Sequence, residues 1–373
     1  MPENKAAWLP APRARLEVGP APYTAPGDNE IVVRNHAVAI NPVDWIKQAL
    51  GNLIFGWIKY PFVLGSDLAG EVADVGKAVT RFKVGDRVVG HAIGFDPKVN
   101  KASEGAFQLY TVVPEHAASP IPDTLSYESA AVLPLGVSTA ACGLFQKDQL
   151  ALQPPSIPPR ATGQTVVIWG GSTSVGSNAI QLAVAAGYEV ITTASPGNFA
   201  YAKALGASQV FDYNSRTVVA DIVTALQGRT LAGALAIGST SGEACVEIVG
   251  RCKGRKFVSL VSFPLSFDTL SEKQSVLLQF LARMPAFLGY NIRLTIKKQF
   301  TGVRTNFIFG SSLMFNEVGP MIYVDFLPKA LAEGKYLAAP DPKVVGQGLE
   351  QIQAAFEAQR KGVSAAKIVV SLS

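Results

Sequence analysis

The stretch from Thr165 to Gly176 limits what this chain can fold into more than any other. A strand-like run, Thr165-Val166-Val167-Ile168-Trp169, enters Gly170-Gly171-Ser172-Thr173-Ser174-Val175-Gly176, and an apolar helix pattern continues to Ala186, stopped by Gly187. Strand, glycine-rich turn and helix in that order bring main-chain N–H groups and a positive helix end to one point, as a pyrophosphate requires. Gly170 and Gly171 permit the tight turn and close approach of backbone to ligand, and Gly176 lets the helix lie tightly on the strand. Ser172, Thr173 and Ser174 add hydroxyl donors, although Thr173 replaces the middle glycine of the G-x-G-x-x-G fingerprint. Five more strand-like segments follow: Glu189–Thr193, Gln209–Phe211, Leu231–Ile237, Lys256–Val261 and Phe307–Phe309. Helical patterns over Phe199–Leu205, Val218–Gln227 and Glu243–Val249 separate the earlier ones. This alternation predicts a doubly wound α/β domain with a parallel six-stranded sheet.

The second strand indicates which dinucleotide fits. NAD sites place an acid about 20 residues after the turn, on the ribose 2′-hydroxyl. Here the strand ends Ala194-Ser195-Pro196-Gly197-Asn198, with no acid. Ser195 and Asn198 can donate to a 2′-phosphate, with Lys203 and Tyr213 within reach, so the expected cofactor is NADPH. The same two residues also suit a turn that caps the next helix, and both readings stand together.

Residues 1 to about 125 have a different rhythm. Short β-rich runs at Ile31–Val33, Ala37–Ile40, Gly70–Val75 and Arg87–Val89, punctuated by Gly65, Gly76, Gly85 and Gly90, predict a small barrel or sandwich. Residues 262–304 are longer than an ordinary crossover and are expected to hold extra helices, as a lid or an oligomer contact. After Ser312 the pattern suggests Glu317–Glu333, a turn around Pro340-Asp341-Pro342, a helix over Gly348–Gln359 and a strand over Lys367–Ser371.

Composition closes off several function classes. With 48% apolar and 16% charged residues the chain has ample material for a core and is not disordered. The net charge of +5 is scattered rather than striped, which argues against nucleic acid as a partner. Cys142, Cys245 and Cys252 form neither an even disulfide framework nor a C-x-x-C zinc motif. The N-terminus lacks the pattern of a secretory signal, and the most apolar stretch, Val276–Tyr290, is interrupted by Arg283 and Pro285. A reducing cytoplasm is the expected compartment, with no membrane partner. No ATP phosphate loop is present, and Gly238-Ser239-Thr240-Ser241-Gly242 has Thr at the centre of what would be a nucleophile elbow.

Several further motifs occur in a telling order. Pro61-x-x-x-Gly65-x-Asp67-x-x-Gly70-x-Val72-x-x-Val75-Gly76, then Gly85-Asp86-x-Val88-x-Gly90, together with Asn41-Pro42-Val43-Asp44-Trp45 and Gly105-Ala106-Phe107, resemble the medium-chain dehydrogenase/reductase pattern. The resemblance spans essentially the whole chain. It is closest to zinc-free members, namely quinone reductases and fungal trans-acting enoyl reductases, and to fungal proteins labelled zinc-binding alcohol dehydrogenase domain-containing. It implies a GroES-like β-rich domain at about 1–136 and 313–373, and a Rossmann domain at about 137–312. Zinc members hold metal with an early Cys, a Gly-His-Glu segment and a later Cys or Asp. The corresponding stretches read Ala39-Ile40-Asn41-Pro42 and Gly65-Ser66-Asp67, and His36, His91 and His116 have no nearby Cys. No metal is therefore expected.

The resemblance also implies contacts. Asp44, Trp45, Ile46 and Lys47 border the nicotinamide end. Ser172, Thr173, Ser174, Val175, Ser195, Pro196, Gly197, Asn198, Tyr213, Leu260, Val261, Val363 and Ser364 take the nucleotide. Val132-Leu133-Pro134-Leu135-Gly136-Val137-Ser138-Thr139 line the substrate side. A Tyr that follows the Asp44–Lys47 segment in some enoyl reductases is missing from Leu50-Gly51-Asn52-Leu53. Tyr60, Lys47 or a water is left to deliver a proton, and Asp44 stands beside Lys47 as a candidate catalytic group. The expected activity is zinc-independent reduction by NADPH of a double bond conjugated to a carbonyl, in a quinone, an enone or an enoyl thioester. Two alternatives remain open: a low-turnover NADPH-binding partner protein, and a reductase that works only on substrates presented by a polyketide synthase. Members of the family are often homodimers.

Overall fold

The structure, a computed structural model, describes residues 2–270 and 274–372. In chain order it runs β1 (Asn4–Leu9), β2 (Glu17–Ala21), β3 (Glu30–Ala39), α1 (Pro42–Leu50), β4 (Phe62–Val63), β5 (Asp67–Val75), β6 (Arg87–His91), β7 (Tyr110–Pro114) and β8 (Ala118–Pro120). It continues with α2 (Pro134–Phe145), β9 (Gln164–Trp169), α3 (Ser174–Ala185), β10 (Glu189–Ala194), α4 (Phe199–Ala204), β11 (Gln209–Asp212), α5 (Val218–Ala225), β12 (Thr230–Ala236) and α6 (Ser241–Arg251). Then come β13 (Phe257–Leu260), α7 (Val276–Thr301), β14 (Arg304–Phe307), β15 (Asp341–Gln347), α8 (Ile352–Arg360) and β16 (Ala366–Ser371), with short turns of helix between. Two units form: residues up to Leu135 with those from Gly319 onward, and Gly136–Val318.

In the second unit, six strands among the described residues form one parallel sheet in the order β11-β10-β9-β12-β13-β14. The order reverses beside β9, so the carboxyl ends of β9 and β12 form the switch point where such sheets take ligands. On one face Val167, Ile191, Ala234, Ala236 and Val258 bury against Ile222, Leu226, Val246 and Val249 from the covering helices. Each large aliphatic side chain so buried contributes about 1.5–3 kcal/mol. The sixth strand is Arg304–Phe307 rather than Phe307–Phe309. As an edge strand it needs no apolar run, so periodicity alone misplaces it. The interruption at 262–304 contains one long helix, α7, which continues through Pro285.

In the first unit, one sheet runs β15-β16-β3-β5-β6-β8, with β7 pairing β3, and a second runs β2-β1-β4. β3 is a single ten-residue strand where the sequence suggested two runs. Its polar middle persists because the Asn35 amide donates to Ala106 O, Gln108 O and Thr111 Oγ1 at 2.8–3.1 Å. Pro340-Asp341-Pro342 is not a free turn: Asp341 opens β15, with Pro342 opposite Lys367. β15 is an edge strand, where a missing N–H is tolerated.

Tyr127–Phe145 is the one helical stretch among the described residues long and apolar enough to cross a membrane. It was not singled out in the sequence, and 83% of its apolar window is buried inside the protein, as in a core helix.

Candidate active site

The glycine-rich turn leaves β9 with three glycines at which any side chain would meet strain or a clash. Gly170 has φ +89, a left-handed conformation. A Cβ on Gly171 would lie 2.2 Å from Thr192 Oγ1, and one on Gly176 would lie 2.1 Å from the carbonyl oxygen of Gly170. The N–H groups of Gly170 and Gly171 are used inside the protein, donating to Thr193 Oγ1 at 3.0 Å and Thr193 O at 2.8 Å. These two glycines therefore shape the turn rather than donate to a ligand. Thr173 caps α3 by accepting the Gly176 N–H at 3.0 Å. The N–H groups at the start of α3, from Ser174 and Val175, lack intrahelical acceptors as at any helix start. Ser174 Oγ lies buried beside them with no hydrogen-bond partner. A first helical turn with an orphaned hydroxyl, at the switch point of a parallel sheet, fits the pyrophosphate of a dinucleotide.

At the end of β10, Ser195 and Asn198 bond to each other, Asn198 Nδ2 donating to Ser195 Oγ at 3.1 Å. Pro196 and Gly197 lie in the turn between them, and a Cβ on Gly197 would meet nothing within 4 Å. Tyr213 follows β11 and is 45% exposed. Leu260 ends β13, and the Val261 N–H donates to Ala236 O at 3.0 Å, which keeps this segment at the carboxyl edge of the sheet. The second unit thus brings residues 170–175, 195–198 and 260–261 to the carboxyl ends of β9, β10 and β13 of one parallel sheet.

The first unit holds a different constellation around Asp67, the first residue of β5. The Asp67 carboxylate is fully buried and ion-paired with Lys367 Nζ at 2.5 Å. It also accepts from Asn41 Nδ2 at 2.8 Å and from the Leu135 N–H at 2.6 Å. Lys367 Nζ donates in turn to Asn41 Oδ1 at 2.9 Å. Asp44 lies on α1 and accepts the Asn41 N–H at 2.8 Å, which fixes the start of that helix. Burial, aided by nearby Asp67, pushes the Asp44 carboxyl up to about 8. His91 pairs with Asp67 across β5 and β6, and burial pushes its imidazole down to about 4. Lys367 was not foreseen as part of a site. The available signal was a lone lysine leading the apolar run Ile368-Val369-Val370, since a charge in a buried strand needs a partner.

The expected catalytic side chains fare unequally. Lys47 is buried, and its ammonium donates to Gly51 O at 2.9 Å and to Ile54 O and Phe55 O at 3.2 Å. With all three donors bound to main chain, Lys47 clamps the 51–55 turn, and burial pushes it down to about 8. Asp44 is likewise committed to the helix start. Tyr60 keeps its donor: the hydroxyl is buried with no partner, Lys47 Nζ sits 5.2 Å from the ring centroid, and burial raises its pKa.

Trp45 is 4% exposed and donates from Nε1 to Gln359 Oε1 at 2.5 Å, so it packs α1 on α8 as a core aromatic. Ile46 is half-buried beside it. Val132, Leu133, Val137, Ser138 and Thr139 are buried, as are Pro134 and Gly136, while Leu135 is half-buried. This stretch serves chiefly as core at the start of α2, and only Leu135 keeps substantial exposure. Val363 and Ser364 follow α8, half-buried and exposed respectively.

Comparison with known proteins shows the family. Residues 27–123 match the alcohol dehydrogenase GroES-like domain. The chain is 57% identical to "Dehydrogenase pigH" of Monascus ruber over 374 residues, covering 100% of each. This chain is a medium-chain dehydrogenase/reductase. Another member, "Trans-enoyl reductase himH" of Aspergillus japonicus, is 41% identical, with 99% of this chain and 98% of that protein covered. The fold also matches the crystal structure of CurK enoyl reductase, with a TM-score of 0.72 at 21% identity and 100% of both chains covered. As an oxidoreductase of this family the chain takes a nicotinamide cofactor, and the turn into α3 fits one.

The family also includes zinc enzymes, and the donor set here does not fit zinc. The ligand segments read Asn41 and Ser66-Asp67, and the Asp67 carboxylate is already held by an ammonium, an amide and a main-chain N–H. Among the described residues no group of three or more His, Cys, Asp or Glu side chains is placed to hold a metal ion.

Proposed function

We propose that this medium-chain dehydrogenase/reductase is an NADPH-dependent, metal-independent reductase of double bonds conjugated to a carbonyl, acting on quinones, enones or enoyl thioesters. The observation that carries this reading is the Asp67–Lys367 pair, in which a side-chain ammonium holds the carboxylate of a zinc-ligand segment. Reduction of an isolated ketone puts the developing charge directly on the oxygen and gains most from a Lewis acid or a general acid placed there. In a conjugated system negative charge moves to the carbonyl oxygen, where main-chain N–H groups and hydroxyls suffice to stabilise it. NADPH, when bound, supplies the hydride.

The chain's own residues orient and protonate. The first turn of α3 and Ser174 Oγ hold the pyrophosphate, and Ser195 and Asn198 receive the 2′-phosphate in place of an acid. Tyr60 holds a proton on its unpartnered phenol oxygen, kept there by burial. The name of himH supports enoyl groups as the substrate class, and its "trans" supports delivery of substrate by a separate synthase. A second reading, an NADPH binder with little turnover, draws on the commitment of Lys47 and Asp44 to main chain.

The test is NADPH oxidation by chelator-treated protein against quinones, 2-enones, and enoyl thioesters both free and carrier-bound. Turnover undiminished by the chelator is expected for at least one class. Loss of turnover on chelation, restored by zinc, would overturn the metal-independent mechanism. NADPH binding with every substrate inert would establish the second reading.

A further inference from the structure

We propose that the amino edge of the six-stranded sheet carries an oxyanion site, formed by Arg255, Arg304 and the Tyr188 hydroxyl and suited to a phosphate group; the argument is independent of the reaction proposed above. The basis is already in the sequence: residues 248–267 and 273–316 contain no aspartate or glutamate. The fold then brings an arginine from each stretch to the amino ends of neighbouring strands. β13 and β14 run parallel with Phe257 opposite Arg304, and the Arg304 N–H donates to Lys256 O at 2.9 Å. Arg255 stands two residues ahead of Phe257.

Both guanidiniums settle on one ring. Cζ of Arg255 lies 5.6 Å and Cζ of Arg304 5.9 Å from the Phe257 centroid, where the π-system attracts a cation. Two like charges on one ring repel each other, and the chain supplies no carboxylate to relieve them. Arg255 is half-buried and donates from Nη2 to Gln149 O at 2.9 Å. Burial, and then the charge of Arg304, hold its pKa below the ordinary arginine value. The Arg304 guanidinium is exposed and has neither a hydrogen bond nor an ion pair among the described residues. The nearby acids are engaged elsewhere: Glu189 with Arg229, Glu247 with Lys297, and Asp148 with Asn306 Nδ2 at 3.0 Å. Lys256 is committed to the end of α6, donating to Val249 O, Gly250 O and Cys252 O at 2.6–2.9 Å.

Tyr188, which precedes β10 at the same edge, is near enough to act on the Arg255 charge. Its hydroxyl accepts the Gln153 N–H at 3.2 Å, and its own proton has no acceptor among the described residues. Two guanidiniums and a hydroxyl proton are thus donors without an acid to receive them. Donors of this kind fit one oxyanion, and the arginine fork matches phosphate in a bidentate way. An extended polyanion needs a stripe of cations, whereas here Lys253 alone adds a further exposed, unpaired charge on the turn before β13. The site lies on the order of 15–20 Å, the length of the strands, from the cofactor turn at their carboxyl ends.

Isothermal titration calorimetry of the full chain tests this, with nicotinamide cofactor bound so that the turn at α3 is filled. The probes are inorganic phosphate, a free anion, and methyl phosphate, a monoester. One phosphate per chain is expected, with a Kd on the order of 0.1–1 mM. Equal affinity for methyl phosphate would show that the site accepts a phosphoryl group carried on a larger molecule, and phosphate alone would restrict it to the free anion. Arg304→Gln and, separately, Arg255→Gln should each raise Kd at least ~10-fold with the circular dichroism spectrum unchanged, and Arg304→Lys should recover only part of the loss. Lys253→Gln should change Kd less than ~3-fold. A wild-type chain that takes up neither probe would overturn the proposal. So would an Arg304→Gln Kd equal to that of wild type, or a Lys253→Gln effect as large as that of Arg304→Gln, which a diffuse positive potential produces and a built site does not.

Discussion

Replacing Lys367 with methionine tests the logic of the Asp67 constellation most directly. The substitution keeps the length of the side chain and its fit in β16 but removes the ammonium. The Asp67 carboxylate, fully buried, would retain Asn41 Nδ2 and the Leu135 N–H and lose its countercharge. Asn41 Oδ1 would lose its donor as well. Removing one partner of a buried ion pair costs about 3–5 kcal/mol, because the other charge stays desolvated. For a unit of this size each kcal/mol lowers Tm by roughly 2–4 °C, so a drop on the order of 10 °C is expected. Far-UV circular dichroism melts, with urea unfolding at neutral pH, give the value. The double variant Asp67→Asn/Lys367→Met removes both charges and should recover at least ~2 kcal/mol relative to the sum of the single changes. Lys367→Met within ~1 kcal/mol of wild type, or strict additivity in the double variant, would refute the claim that the pair is a coupled, charge-bearing unit.

Three other outcomes follow from the geometry. Gly176→Ala places a Cβ 2.1 Å from Gly170 O, so α3 must shift; a loss of about 1–3 kcal/mol in stability is expected, together with weaker NADPH binding, by fluorescence titration. Ser195→Asp should weaken NADPH binding about 10–100-fold by repulsion of the 2′-phosphate, and unchanged affinity would count against the assignment at 195–198. His91 titrates near 4 when folded, against 6.5 as its ordinary value. Between those pH values the unfolded chain binds a proton that the folded chain refuses, so stability falls as pH drops through this window, by up to about 3 kcal/mol. Asp44 acts with the opposite sign, its raised value costing stability as pH rises from about 4 to about 8. His91→Gln against wild type isolates the imidazole: the gap should change from pH 6.5 to 4, and a constant gap would show that His91 is not held neutral by burial.

The Rossmann unit was legible because its determinants are local. Buried parallel strands are continuous apolar runs, and the turn at Gly170–Gly176 needs glycine for reasons confined to a few residues, so length and punctuation sufficed. Boundaries failed where the local signal was weak. Arg304–Phe307 is polar because an edge strand can be, and Asp341–Gln347 hides behind two prolines.

The first unit shows what the sequence leaves open. Asn41, Asp44 and Asp67 stood out as motif residues, and Lys47 and Tyr60 as candidate catalysts. Their partners lie far away along the chain. Lys367 is 300 residues from Asp67, yet β16 and β5 flank β3 on either side, and that topology brings the ammonium to the carboxylate. Whether a lysine faces substrate or clamps three carbonyls depends on the path of the main chain around it, which side-chain chemistry does not specify. The sequence by itself determined the family and the fold, including the place of the glycine-rich turn between β9 and α3. Tertiary structure alone decided which polar side chains are satisfied by the protein and which, like Ser174 Oγ and the Tyr60 hydroxyl, are left over for something else. The reason is physical: hydrogen-bond satisfaction in a core is a property of three-dimensional neighbours, and sequence spacing fixes only the neighbours within one element.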